Sequence, residues 1–451
     1  MFLLIPPERR KIDMSSQSSL RFKVTPGGSL SGRIRVPGDK SISHRSIMLG
    51  ALADGVTEIQ GFLEGEDSLA TLKAFRAMGV HIEGPDKGRV VVQGVGMHGL
   101  KPPAAALDLG NSGTSMRLLS GLLSGQAFDV ELVGDHSLMG RPMRRVTEPL
   151  ATMGAVIEAT EKGTAPLRIR GGQALKGIDY DMPVASAQVK SCLLLAGLYA
   201  QGRTCVTEPA PTRDHTERML SGMGYGVVRE DDRACLEGGG SLLAGNIDVP
   251  SDISSAAFFL VGASIAPGSD LLIEHVGINP TRTGVLEILR LMGADIEVQN
   301  PRDVGGEPVA DLRVRYAPLK GIDIPVEQVP LAIDEFPALF VAAACAEGRT
   351  VLTGAAELRV KESDRLQVMA DGLRTLGVDA QPTADGMIIQ GGTIGGGKVN
   401  SCGDHRIAMS FAMAALRATG EISIDDCDNV NTSFPDFVGL ASAAGLSVNA
   451  E

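Results

Sequence analysis

Pro37-Gly-Asp-Lys-Ser-Ile-Ser-His-Arg-Ser-Ile-Met-Leu-Gly50 opens on a turn, passes through small and charged residues that can cap a helix, and runs into apolar sequence. Lys40, Ser41 and Arg45 thus sit where a helix begins. Backbone N–H groups at such an end lack partners and the helix dipole is positive there, so an anion is favoured. Two cations beside it point to a phosphate or carboxylate ligand.

The pattern returns along the chain. Polar, small-residue turns leading into helices occur at Pro37–Ser43, Asp108–Ser115, Pro183–Lys190, Pro250–Ser255, Ala332–Pro337 and Cys402–Arg406. β-rich stretches follow, such as Val56–Gln60, Phe128–Val133, Thr204–Thr207, Asp270–Glu274, Thr350–Leu352 and Glu421–Ile424. A second helix then ends in glycine: Phe75–Val80 returns as Leu150–Ala155, and again at Leu220–Gly224, Ile288–Gly293, Leu373–Gly377 and Leu440–Gly445. Glycine just past the last turn is the expected helix stop. A period of roughly 70–85 residues exceeds solenoid repeats and fits a compact supersecondary unit.

Six βαβαββ-like units fall into two groups of three. If rotation relates the units of a group, their helix starts point one way, and two facing groups build a cleft lined by helix N-termini. Ser41, Asn111, Ser112, Thr114 and Ser186 are the cap candidates in the first three openings.

The composition bounds the function. The chain has 451 residues, room for two domains, with 43% hydrophobic and 21% charged residues. A net charge of −12 argues against nucleic acid, which needs a basic surface, but local cations can still hold a small anion. Cys192, Cys205, Cys235, Cys345, Cys402 and Cys427 are scattered, without metal spacing, and read as buried reduced thiols. No metal and no cofactor is expected. No apolar run reaches the roughly 18 residues that span a bilayer, so the reading is cytoplasmic. Translation from Met14 is as reasonable as from Met1.

Cations near the openings are Lys40, Arg45, Arg117, Lys190, Lys361, Arg365 and Arg406, with Arg141 and Arg213 nearby. Arg117 and Arg365 each enter an apolar run and so require a partner. Asp334-Glu335 precedes an otherwise apolar helix, and Glu362 lies between Lys361 and Asp364-Arg365. Capping and ion pairing are the plain readings of these acids; an acid/base pair tuned by cations is the functional one. Gly392 to Lys398 imitates a P-loop, but Val399 stands where Ser or Thr is needed. His44 and His405 border the proposed site without a recognisable Ser or Cys nucleophile.

Taken together, the Pro37–Arg45 stretch, Leu109-Gly-Asn-Ser-Gly-Thr-Ser-Met-Arg117, Gly140-Arg-Pro-Met143, Leu358-Arg-Val-Lys-Glu-Ser-Asp-Arg-Leu366 and Asp404-His-Arg406 resemble the 5-enolpyruvylshikimate-3-phosphate synthases of the enolpyruvyl transferase family. The resemblance runs from about Gly28 to the C-terminus. It implies an α/β fold, a two-domain inside-out α/β barrel with three units per domain that closes like a clam. Residues 20–38 plus 253–451 would form the first, split domain and 39–252 the second, with crossings near Pro37–Asp39 and Asp248–Asp252. Residues 1–19 would be a disordered extension.

The implied reaction moves the carboxyvinyl group of phosphoenolpyruvate to the 5-hydroxyl of shikimate 3-phosphate and releases phosphate. The motif matches imply Asp334, Glu362 and Lys40 as catalytic groups. They imply Lys40, Ser41, Arg45, Ser186, Ala187, Gln188, Arg213, Asp334 and Lys361 around shikimate 3-phosphate. Around phosphoenolpyruvate they imply Lys40, Gly113, Arg141, Gln188, Arg365 and Arg406. Both substrates are anions, and the chemistry needs positioned acid/base groups rather than a metal or a covalent nucleophile. A monomer is expected.

Three departures stand out: Ala187 replaces a serine of many relatives, Thr432 replaces a phosphate-binding lysine, and Gly113 is not the alanine associated with glyphosate tolerance. Two rivals are separable. The sibling transferase acting on UDP-N-acetylglucosamine carries a cysteine in a loop that here reads Gly134-Asp-His-Ser-Leu-Met-Gly-Arg-Pro142. A non-catalytic anion-binding protein would lack Asp334 or Glu362, and both are present.

Overall fold

Each of the six openings starts a helix: α1 (Lys40–Leu52), α2 (Gly113–Ser124), α3 (Ala187–Gly197), α4 (Ile253–Ile265), α5 (Phe336–Cys345) and α6 (His405–Ala414). The computed structural model describes residues 20–451, so the extension expected over residues 1–19 lies outside the described residues. Side-chain oxygens of Asp39, Ser112, Ser186, Asp252 and Asp404 accept the first free N–H groups of five helices. Ser41 and Thr114 instead fall inside the first turn, and Asn111 pairs with Asp135 and Arg141, so these three expected caps are corrected. The carboxylate is the stronger acceptor where Asp and Ser compete two residues apart.

These helices are buried nearly all round. α4 buries every residue from Ile253 to Ile265, and α1 buries Ile42 to Leu52. The sheets lie outside them and bury one face. In Val56–Gln60, for example, Thr57 and Ile59 point inward while Val56, Glu58 and Gln60 are exposed. α2 and α3 approach so closely that a Cβ on Gly121 would lie 2.0 Å from the carbonyl oxygen of Cys192. The six helix-ending glycines, Gly79, Gly154, Gly224, Gly293, Gly377 and Gly445, all have positive φ between 81° and 119°.

The sheets repeat one order. A short strand runs parallel to a second, as Asp179–Asp181 does to Arg203–Thr207, and two antiparallel strands follow. In the fifth unit, isolated parallel bridges (Lys320 to Glu347, Asp323 to Val351) stand in for the first strand. The units are not contiguous in sequence. The first takes its parallel strand, Asn246–Asp248, from after the third; the fourth takes Ser31–Ile34; and the sixth inserts Phe22–Val24 between Ile422–Asp425 and Val448–Ala450.

Two apolar cores result. One gathers residues from Ile42 to Val249; the other gathers Phe22 to Val36 with Ile253 to Val448. The chain passes between them twice, and the passes run side by side: Asp39 N donates to Pro250 O at 2.8 Å and Asp252 N to Pro37 O at 2.9 Å. Only glycine fits at 38, where a Cβ would sit 1.8 Å from Gly61 O.

The cysteine reading needs correction. Cys205 and Cys235 face each other across antiparallel strands, Cα atoms 4.1 Å apart, and form a disulfide. Cys402 is an exposed free thiol, whereas Cys192 and Cys427 are buried ones. Residues Gly397–Asn400 form a strand, so the P-loop imitation leads into no helix.

Candidate functional site

The two halves meet at Asp334, which Arg213 reaches from the loop before the helix His215–Gly222. Its Oδ1 lies 3.3 Å from Lys361 Nζ and 3.4 Å from Arg365 Nη1, and its Oδ2 accepts from Arg213 of the other half. Arg406, in the first turn of α6, donates to the Asp334 carbonyl oxygen at 3.1 Å. Arg365 is 1% exposed and holds three carboxylates: its Nε donates to Asp404 Oδ2 at 2.8 Å, and its Nη2 to Glu362 Oε2 at 2.6 Å, besides Asp334. Such an array is a charge-assisted network that an anionic ligand can enter by exchange.

Burial sets the protonation states. Lys361 is pushed down to about 8, by desolvation first and Arg365 next, against Glu357 and Glu362. Desolvation opposes ionisation of Glu362, but Arg365 first, with Arg141 and Lys40, outweighs it and holds the carboxyl well below its usual range. Burial and Lys40 keep His44 and His405 neutral, and each leaves a buried Nε2 without a hydrogen-bond partner. Burial, then Arg282, lowers Arg213 to about 9.

From the half carrying residues 39–252, Arg117 donates to Gln188 Oε1, and Gln188 Nε2 donates to Thr114 Oγ1 at 3.0 Å, which ties α2 to α3 beside Gly113. Arg141 donates to Asn111. A Cβ on Gly113 would lie 3.0 Å from Arg141 Nη1 and 3.5 Å from Arg117 Nη1. Lys40 Nζ pairs with Asp67 at 3.0 Å, and its backbone N–H donates to Asp252 Oδ2 at 3.3 Å. Arg45 is buried, donating to Thr216, Ser191 and Ser41 O, so it braces the floor behind Ser41. Ser186 caps α3, with Ala187 at its first position.

Lys190 does not join this cluster. It lies in the interior between Glu208 and Glu217, at 3.0 and 2.8 Å. Thr432 turns its hydroxyl to its own backbone, donating to Asn429 O at 2.7 Å. Sequence reasoning missed Arg282, which is 3% exposed and lies 3.2 Å from both Asp39 and Asp252 and 3.7 Å from Glu335. It also missed the Arg145–Glu357 pair across the halves, at 3.4 Å. No local signal marks Arg282: Asn279-Pro-Thr-Arg282 reads as an ordinary turn. Among the described residues no group of His, Cys, Asp or Glu is arranged to hold a metal ion, and no helix is long and apolar enough to cross a membrane.

The chain is similar to known proteins over nearly its whole described length. The family model described as EPSP synthase (3-phosphoshikimate 1-carboxyvinyltransferase) matches residues 24–440. A 3-phosphoshikimate 1-carboxyvinyltransferase of Methylococcus capsulatus is 73% identical over 427 residues, covering 95% of this chain and 98% of that protein. That of Alkalilimnicola ehrlichii is 72% identical, covering 95% and 96%. A solved structure of EPSP synthase from Acinetobacter baumannii matches with a TM-score of 0.88 at 61% identity, covering 96% of this chain and 100% of that one.

Proposed function

The chain belongs to the EPSP synthase (3-phosphoshikimate 1-carboxyvinyltransferase) family, and from that premise we propose how its cleft residues divide the work. It is an enzyme of aromatic amino acid biosynthesis through the shikimate pathway, transferring the enolpyruvyl group of phosphoenolpyruvate to shikimate 3-phosphate.

In our reading, residues 20–38 with 253–451 form one domain and 39–252 the other. Shikimate 3-phosphate is held by Lys40, Ser41, Arg45, Ser186, Ala187, Gln188, Arg213, Asp334 and Lys361; phosphoenolpyruvate by Lys40, Gly113, Arg141, Gln188, Arg365 and Arg406. The observation that carries this reading is Asp334, a carboxylate ringed by Lys361 and Arg365 of its own half and Arg213 of the other. There it accepts a proton from the attacking hydroxyl while the cations clamp two anions side by side. Addition at C2 with protonation at C3 gives a tetrahedral intermediate, and elimination of phosphate reverses the proton movement. In the addition Lys40 gives C3 its proton; in the elimination the ionised Glu362 takes one from C3 and passes it back to Lys40, while Asp334 returns its proton to the departing phosphate. We read the enzyme as a cytoplasmic monomer, and size exclusion tests the latter.

The test is phosphate release with both substrates present. Release that persists without shikimate 3-phosphate, or none with both, refutes the assignment; UDP-N-acetylglucosamine in place of shikimate 3-phosphate should give none.

Two results follow from the geometry. With shikimate 3-phosphate limiting, kcat/KM should fall as pH rises through about 8, because Lys361 loses the charge that pairs with the substrate. Lys361→Arg should move that limb upward; an unmoved limb would assign it to another group. Gly113→Ala places a methyl 3.0 Å from Arg141 Nη1 and so crowds the phosphoenolpyruvate side. Glyphosate should inhibit the unmodified enzyme measurably and Gly113→Ala more weakly, and equal inhibition constants would refute this.

A further inference from the structure

Away from Asp334, a second group of buried polar side chains joins the halves. From the half carrying residues 39–252 come Asp214 and His215, at the start of the helix His215–Gly222. From the other come Asn279, and Gly306 and Glu307 at the tip of the hairpin Asp295–Val304/Glu307–Arg315. His215 Nδ1 lies 2.8 Å from Glu307 Oε1. Asn279 Nδ2 donates to Glu307 Oε2 at 3.0 Å and to Asp214 Oδ1 at 2.6 Å. Arg218 donates to Asp214 Oδ1 at 2.9 Å and across to Gly306 O at 2.8 Å, and Arg229 also donates to Asp214. Asp214, His215, Asn279 and Glu307 are exposed by 0%, 2%, 2% and 4%.

None of these groups touches the residues ringed around Asp334. Their importance is positional: Asp214 directly follows Arg213, whose guanidinium reaches Asp334. Asp214 keeps Arg218 and Arg229 whether or not the halves meet, since all three belong to one half. Its bond from Asn279 exists only when they do. The placement of Arg213 therefore depends on the opposite half.

Stability alone does not account for the arrangement. Buried ionic groups return little beyond their desolvation cost, and apolar side chains of similar size would hold such a seam at least as well. His215 also leaves its Nε2 buried without a partner, a cost that an apolar ring would avoid.

We propose that Asp214, His215, Asn279 and Glu307 form a latch that positions Arg213 for the phosphorylated acceptor when the halves join. The proposal rests on the assignment of Arg213 to shikimate 3-phosphate. A ligand gripped from both sides favours the joined state, and weakening the latch lowers the fraction of enzyme competent to bind, reducing apparent affinity by that fraction. The four are positioning residues. Their loss acts on KM for shikimate 3-phosphate more than on kcat at saturation, because saturating ligand draws the halves together again.

The test is steady-state kinetics, with thermal unfolding, on Glu307→Ala, Glu307→Gln and Asn279→Ala. Glu307→Ala and Asn279→Ala should raise KM for shikimate 3-phosphate about tenfold while kcat stays within about threefold. Glu307→Gln, which keeps an acceptor for His215 but turns an amide NH2 toward Asn279 Nδ2, should recover only part of the loss. Adding His215→Asn to Glu307→Ala should add little, since both remove the same bond. A lowered melting temperature with unchanged KM would overturn the proposal, as would a fall in kcat at unchanged KM. Should Glu307→Ala not fold, Asn279→Ala decides by the same pair of numbers. Absence of phosphate release by the unmodified enzyme would instead defeat the catalytic reading, before any variant is compared.

Discussion

Asp334→Ala should slow turnover by roughly two to four decades at saturating concentrations of both substrates, measured as phosphate release. The substitution removes the acceptor for the hydroxyl proton and strips Lys361, Arg365 and Arg213 of the carboxylate they share. Those cations remain aimed at the cleft, so binding of anions should survive better than the chemistry. Glu362→Ala should lose a similar factor by a different route, since it also frees one side of Arg365. Because Glu362 stays ionised well below the usual carboxylate range, no acid limb near pH 4.5 should belong to it. Turnover within tenfold of the unmodified enzyme in Asp334→Ala would leave the proton transfer to another group.

The second large effect is on stability. Arg282→Met should destabilise the fold by roughly 3–5 kcal/mol, because it leaves Asp39, Asp252 and Glu335 buried without their shared cation. Burial raises Asp252, but Arg282 first and Arg406 next pull it below its ordinary value. A carboxyl depressed in the folded state contributes stability above its unfolded pKa, and that contribution fades as pH falls through the folded one. Without Arg282 the Asp252 carboxyl loses the larger of the two charges that hold it down, so the variant's deficit should shrink in acid. Urea unfolding at two pH values measures both; an unchanged midpoint would show that Asp39 and Asp252 need no such partner.

The parts of this fold that were legible in sequence are those written by local chemistry. Glycine after Met78, Met153, Met223, Met292 and Leu376 announces a left-handed helix stop, and each has positive φ. Val56–Gln60 and Met387–Gln390 alternate cleanly and form strands over those same residues. What was not legible depends on register between distant segments. Nothing near Phe22 says that it lies opposite Ile424, and nothing near Cys205 says that Cys235 will face it across a strand pair. Lys190 shows how a helix-opening cation misleads: it points back to Glu208 and Glu217 rather than into the cleft. Within the site, Asp334, Lys361, Arg365 and Arg406 were marked by motif and do gather. Arg282 and the Asn279–Glu307 contacts, carried by an undistinguished turn and a hairpin tip, needed three dimensions to be seen.

One topological detail bears on how the molecule is made. Residues 22–24 are sandwiched between strands from 422–425 and 448–450, with Phe22 opposite both Ile424 and Ala450. A nascent polypeptide emerging from the ribosome holds that early segment with nowhere to dock until almost all of the rest has been translated. Residues 39–252 face no such delay, because every strand of their four sheets comes from within that stretch. The later-numbered portion is thus expected to mature around an already settled neighbour, its first-made strand waiting longest of all.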